Sequence, residues 1–188
     1  MFLITGAGRS GSTYIAKVLQ RCGLDVGHHK MGRDGTVCGF YCFDVAKYPV
    51  KSHPVPRPHF DVILHQVRAP LKSIASLQTG RSWKWTSQFL PLTAKAPLLM
   101  KCCYNWLVFN EEAERQAVFT YRIEALEAAW PEIQRLLGFQ YGYRQAAAKV
   151  SRKANARKHS RVTWADVRDA SPFIYCDIRK AAKRYGYN

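Results

Sequence analysis

Apolar residues follow two rhythms along this chain. Short apolar-rich runs at residues 2–4, 61–67 and 117–122 carry many β-branched and aromatic side chains. They read as strands, the first as a buried parallel strand. After each comes a stretch with helical spacing. Ile15, Val18 and Leu19 lie on one side of a helix over 12–20. Leu71, Ile74 and Ala75 mark a second helix running from Pro70 toward Gly80, and proline suits a first helical turn. Leu98, Leu99, Cys102, Trp106 and Phe109 mark a third over 97–116, and residues 126–137 a fourth, stopped by Gly138. Thr163 is placed as the N-cap of a further helix, and residues 174–184 form the last one.

Between these stretches the rhythm fails. Residues 25–47 are rich in Gly, His and Cys without period, so a long loop with at most one short element is expected. Residues 48–51 are expected to form a short strand, after which prolines at 54, 56 and 58 keep the chain extended or turning. Residues 81–95 are basic and aromatic; Trp83 and Trp85 either line an acceptor site or cover the core. Residues 144–161 are expected to be a basic loop. Recurrent strand–helix units predict an α/β fold: three layers, with a central parallel sheet flanked by helices, in a single domain over 1–188. Ligands of such sheets sit at the carboxyl ends of the strands, where Arg9, Lys51, His53 and Arg68 fall.

The first strand runs into Gly6-Ala7-Gly8-Arg9-Ser10-Gly11 and then the first helix. A glycine-rich turn lets backbone N–H groups approach an anion, which the helix start attracts with its partial positive charge. The turn is nearly a Walker A loop, G-x-x-x-x-G-K-[ST]. Gly6, Gly11 and Thr13 are in place, but the lysine is replaced by Ser12, and the nearby cation is Arg9.

Charge sharpens this picture. The formal net charge is +16, which calls for anionic partners. No Asp or Glu occurs from Val62 to Asn110, and residues 144–161 carry seven Lys/Arg and no acid. The six cysteines form no C-x-x-C pair. Cys38 and Cys42 near His28 and His29 lack the usual zinc spacing. No apolar run is long enough for a transmembrane helix, and the chain starts directly in a strand, so a cytoplasmic protein with free thiols is expected.

Three segments resemble the sulfotransferase family that uses 3′-phosphoadenosine 5′-phosphosulfate (PAPS). GRSGSTY at 8–14 resembles the family's 5′-phosphosulfate loop. There the resemblance implies Gly8, Arg9, Ser10, Gly11, Ser12 and Thr13 as phosphate-binding residues, and Tyr14 as an aromatic near the adenine. VKSHP at 50–54 resembles the family's K-[ST]-H segment, implying His53 as general base and Lys51 beside the transferred sulfonate. VRAPLKSIAS at 67–76 resembles the 3′-phosphate motif, implying Arg68 and Ser76 as its ligands. TYRIEAL at 120–126 is a weaker match, with Ile123 where the family has tyrosine. NARKHSR at 155–161 lies where the family closes a basic loop, and only Arg157 and Lys158 carry over. The resemblance implies the P-loop NTPase-like sulfotransferase topology, PAPS as cosubstrate with 3′,5′-ADP as product, and no metal.

The chemistry agrees with that resemblance. Sulfonate transfer resembles phosphoryl transfer, in which a protein mainly positions and neutralises. Arg9 with Lys51 suits the charge growing on a leaving phosphate, and His53 has an intrinsic pKa fit to take a hydroxyl proton. The acceptor is a hydroxyl or amine on an acidic glycan or small molecule; nucleic acid is not expected. Two other readings stand beside this one. A P-loop kinase or NTPase would want a lysine at 12 and an acid near the second strand. A non-catalytic basic module would bind polyanions with a steep salt dependence.

Overall fold

Five strands pair into one sheet in the computed structural model, which describes residues 1–43, 58–79, 95–151 and 158–188. They are β1 (Phe2–Thr5), β2 (Val26–His28), β3 (Gly35–Val37), β4 (Val62–Val67) and β5 (Phe119–Arg122). Their order is β2-β3-β1-β4-β5 and every pairing is parallel. Each β1 residue is buried, as a central strand covered on both faces must be.

Helices cover both faces, as the α/β reading expects. On one side lie α1 (Ser12–Arg21), α4 (Leu126–Leu137) and α5 (Tyr143–Ala148), whose Ile15, Leu19, Trp130, Ile133 and Ala146 pack with Phe2, Ile4 and Leu64. On the other lie α2 (Pro70–Gln78), α3 (Leu98–Gln116), α6 (Trp164–Ala170) and α7 (Pro172–Arg184), built around Trp106, Ile74, Val167 and Ile178. Thr163 caps α6 in a reciprocal capping box with Asp166, and Gly138 ends α4 at φ 70°. No described helix is long and apolar enough to cross a membrane.

Two stretches correct the sequence reading. The expected long loop at 25–47 holds two strands, β2 and β3. Each has three residues, too short for any rhythm to show. The turn of residues 29–34 between them is tied by side chains. Asp25 N–H donates to Asp34 Oδ2 (2.7 Å), Arg33 N–H to Asp25 Oδ2 (3.1 Å), and the Thr36 hydroxyl to Lys30 O (2.8 Å). At Gly35 a Cβ would stand 2.3 Å from Phe2 O, so glycine is what lets β3 pair with β1. The expected basic loop at 144–161 begins instead with helix α5, anchored by buried Ala146 and Val150. The strand expected at 48–51 lies outside the described residues.

The topology fixes where a ligand fits. From β1 the chain leaves through α1 toward β2 and β3; from β4 it leaves through α2 toward β5 on the other side. Between adjacent strands whose chains depart in opposite directions, a crevice opens at their carboxyl ends.

Candidate functional site at the tips of β1 and β4

Two strand–turn–helix corners meet at that crevice. The first is the turn from Gly6 to Gly11. Gly6 adopts φ 150°, and a Cβ there would stand 2.2 Å from Gln66 O, so the loop passes directly over β4. Gly11 is left-handed at φ 97° and opens α1 with no side-chain cap and no acid in the first turn. The helix start therefore keeps its positive end undiluted.

Arg9 is itself left-handed at φ 65°, a conformation costing a non-glycine residue on the order of 1 kcal/mol. Neighbouring bonds hold it there. Arg68 Nη1 donates to Arg9 O (2.9 Å), and Arg9 Nε donates to Ser76 Oγ (3.0 Å). Gln66 Nε2 donates to Ser10 O (3.0 Å), while Gln66 Oε1 accepts from the buried Tyr121 hydroxyl (2.8 Å). Beneath the loop, Ala7 N–H donates to Asn110 Oδ1 (3.1 Å). His65 Nε2 is 3.1 Å from the same oxygen, which can only accept, so Nε2 carries the proton. Nδ1 then accepts from the Thr120 hydroxyl (3.2 Å). Burial holds His65 down at about 4, so this ring is neutral.

The second corner joins β4 to α2. Pro70 at its start removes an N–H, and Glu124 Oε1 takes the N–H of Ala69 (3.0 Å). This corner therefore offers side chains: Arg68 at the strand tip and Ser76, 3% exposed, on the helix. Trp106 Nε1 donates to Arg68 O (3.2 Å) and ties the tip to α3.

Thus Arg9, Arg68 and Ser76 stand in one hydrogen-bonded group beside Ser10, Gly11, Ser12 and Thr13. The Arg9 side chain reaches across to Ser76 on α2 rather than standing over its own loop's helix start. Tyr14 is half-buried, with its hydroxyl 3.2 Å from that of Tyr143. Lys158 is exposed. Lys51, His53 and Arg157, with Trp83 and Trp85, lie outside the described residues. Among the described residues no group of three or more His, Cys, Asp or Glu side chains comes together as a metal-ligand set.

Three residues of this site have no part in it in the sequence reading, where His28 enters only beside Cys38 and Cys42. Gln66 and Asn110 had a signal: each is a polar residue on an otherwise apolar strand or helix stripe. His28 had none, because it closes a strand too short to recognise. Its Nε2 is 3.0 Å from Ser12 Oγ and 3.4 Å from Thr13 Oγ1. No family model matches the chain, and no curated protein matches it.

Proposed function

We propose that this protein is a sulfotransferase that moves the sulfonate of PAPS to a hydroxyl or amine acceptor. The observation that carries the reading is the joining of Arg9, Arg68 and Ser76 at the neighbouring tips of β1 and β4, next to a glycine-rich turn that opens an uncapped helix. That donor set fits a nucleotide phosphorylated at both ends. Loop amides and hydroxyls suit the 5′ end, and a guanidinium with a serine suits the 3′-phosphate. The strand order and the place of the turn after β1 support a P-loop NTPase-like topology.

When bound, PAPS supplies an activated sulfonate on a good leaving phosphate. The chain's residues do the rest. The loop and Arg9 neutralise the leaving oxygen, Lys51 orients the sulfonate, and His53 takes the acceptor's proton. The kinase reading is weaker because β4 ends on His65, Gln66 and Val67, none of which offers a carboxylate to Mg²⁺.

Thermal shift separates the readings. Stabilisation by 3′,5′-ADP well above that by ATP with Mg²⁺ supports the proposal; the reverse order favours the kinase. His53→Ala retains 3′,5′-ADP binding and loses transfer from radiolabelled PAPS to acceptor pools; unchanged turnover removes His53 as the base.

A further inference from the structure

Position 12 is where a Walker loop carries its lysine, and here it carries Ser12. Behind Ser12 stands His28, at the end of β2. An anion at the start of α1 draws the hydroxyl protons of Ser12 and Thr13 onto itself. Their oxygens then have only lone pairs left for the imidazole, so Nε2 must carry a proton to meet them.

We propose that His28 acts on a loop-bound oxyanion through Ser12, as a proton-gated replacement for the missing lysine. In the filled loop His28 donates its Nε2 proton to Ser12 Oγ, and Ser12 donates its own to the anion. His28 is thus a positioning residue. The inference rests on the reading above only for the identity of the anion, the 5′ end of the nucleotide.

The surroundings of His28 make the gate work. Burial first, then the adjacent His29, hold its pKa down to about 4, so without an anion the ring is neutral near pH 7. The two rings lie 4.1 Å apart, His29 being the titratable group facing His28 from its own strand end. From α1 it meets Ser12 and Thr13. A bound anion favours the imidazolium and raises the pKa. Positive charge therefore arrives with the ligand, and affinity rises as pH falls; a lysine would stay charged throughout this range and give no such slope.

Inorganic sulfate is the probe, because its own charge is constant over this range. Wild type, His28→Gln, His29→Gln and Ser12→Ala are titrated calorimetrically with sulfate and with 3′,5′-ADP. Between pH about 8 and about 5.5, sulfate affinity for wild type and His29→Gln is expected to rise roughly tenfold. His28→Gln and Ser12→Ala lose most of that rise. Nitrogen NMR of wild type saturated with sulfate at pH about 5.5 is expected to show both ring nitrogens of His28 protonated, a reading that holds even should a variant fail to fold. A rise that persists in His28→Gln, a wild type with no rise or no sulfate binding, or a neutral His28 ring in the filled loop at pH about 5.5 overturns the proposal. A sulfate response without 3′,5′-ADP binding upholds it and removes the nucleotide reading. Tight 3′,5′-ADP binding with no effect of His28→Gln on the slope removes this inference alone.

Discussion

The two corners at the crevice share a plan and differ in material. Each is a strand tip followed by a helix start, on adjacent strands. The β1–α1 corner is made of backbone: glycines at positive φ, a left-handed Arg9 and an uncapped helix. The β4–α2 corner is made of side chains: a proline takes away one amide, Glu124 occupies another, and Arg68 and Ser76 stand where amides would. A backbone cradle accepts any tetrahedral oxyanion and depends on the fold. A guanidinium–serine grip is selective and separable from the fold. The difference suits a ligand whose two ends play different parts, one reacting and one serving as a handle.

The contrast is most severely tested at Gly6. Gly6→Ala pushes a Cβ against the Gln66 carbonyl, and backbone cannot yield as a side-chain end can. The expected loss is roughly 3 kcal/mol or more, measured by chemical denaturation. Gly23→Ala, with nothing within 4 Å of the added Cβ at φ 87°, costs roughly 1 kcal/mol for its backbone alone. Equal losses at the two positions would deny that the loop's close approach to β4 matters.

Next in size is the strut below both corners. His65 on β4 reaches the loop through Asn110, which holds the N–H of Ala7. Its folded pKa of about 4 lies below the ordinary value of 6.5, so the unfolded chain takes up the proton first. Stability from this group is complete above pH 6.5 and drains away as pH falls toward 4. The loss is about 3 kcal/mol in all. His65→Gln flattens that part of the stability–pH curve; an unchanged slope would place the acid sensitivity elsewhere.

Arg68→Ala tests the other half of the contrast. Affinity for 3′,5′-ADP falls about 100-fold while that for 5′-AMP changes little. Loss of the bond to Arg9 O lowers stability by only about 1 kcal/mol. A uniform loss for both nucleotides would make Arg68 a structural residue. The smallest effect belongs to a site remote from both corners. Thr163→Ala breaks the capping box of α6, costing about 1 kcal/mol of stability with nucleotide affinity unchanged.

The two corners were legible in the sequence for different reasons. At β1–α1 the glycine spacing between an apolar run and a helical period is a local signal. At β4–α2 the signal is Arg68, Pro70 and Ser76 at fixed offsets along one strand and helix. Illegible were the features that depend on distant contacts. Strands β2 and β3 are too short for a period and owe their place to Gly35 lying against Phe2 and to the tied turn before it. Helix α5 is poor in large apolar residues and leans on α1 and α4 through Ala146 and Val150. The bond of Arg9 to Ser76 and the contact of His28 with Ser12 join segments that no spacing rule connects.

The central claim is that one nucleotide is held at both ends by unlike corners. Calorimetric titration of the wild-type protein with 3′,5′-ADP, 5′-AMP and 3′-AMP measures this directly. The account predicts 3′,5′-ADP to bind about 100-fold tighter than either monophosphate, since each charged grip contributes on the order of 2–3 kcal/mol. Binding of 3′,5′-ADP no tighter than 5′-AMP would contradict it.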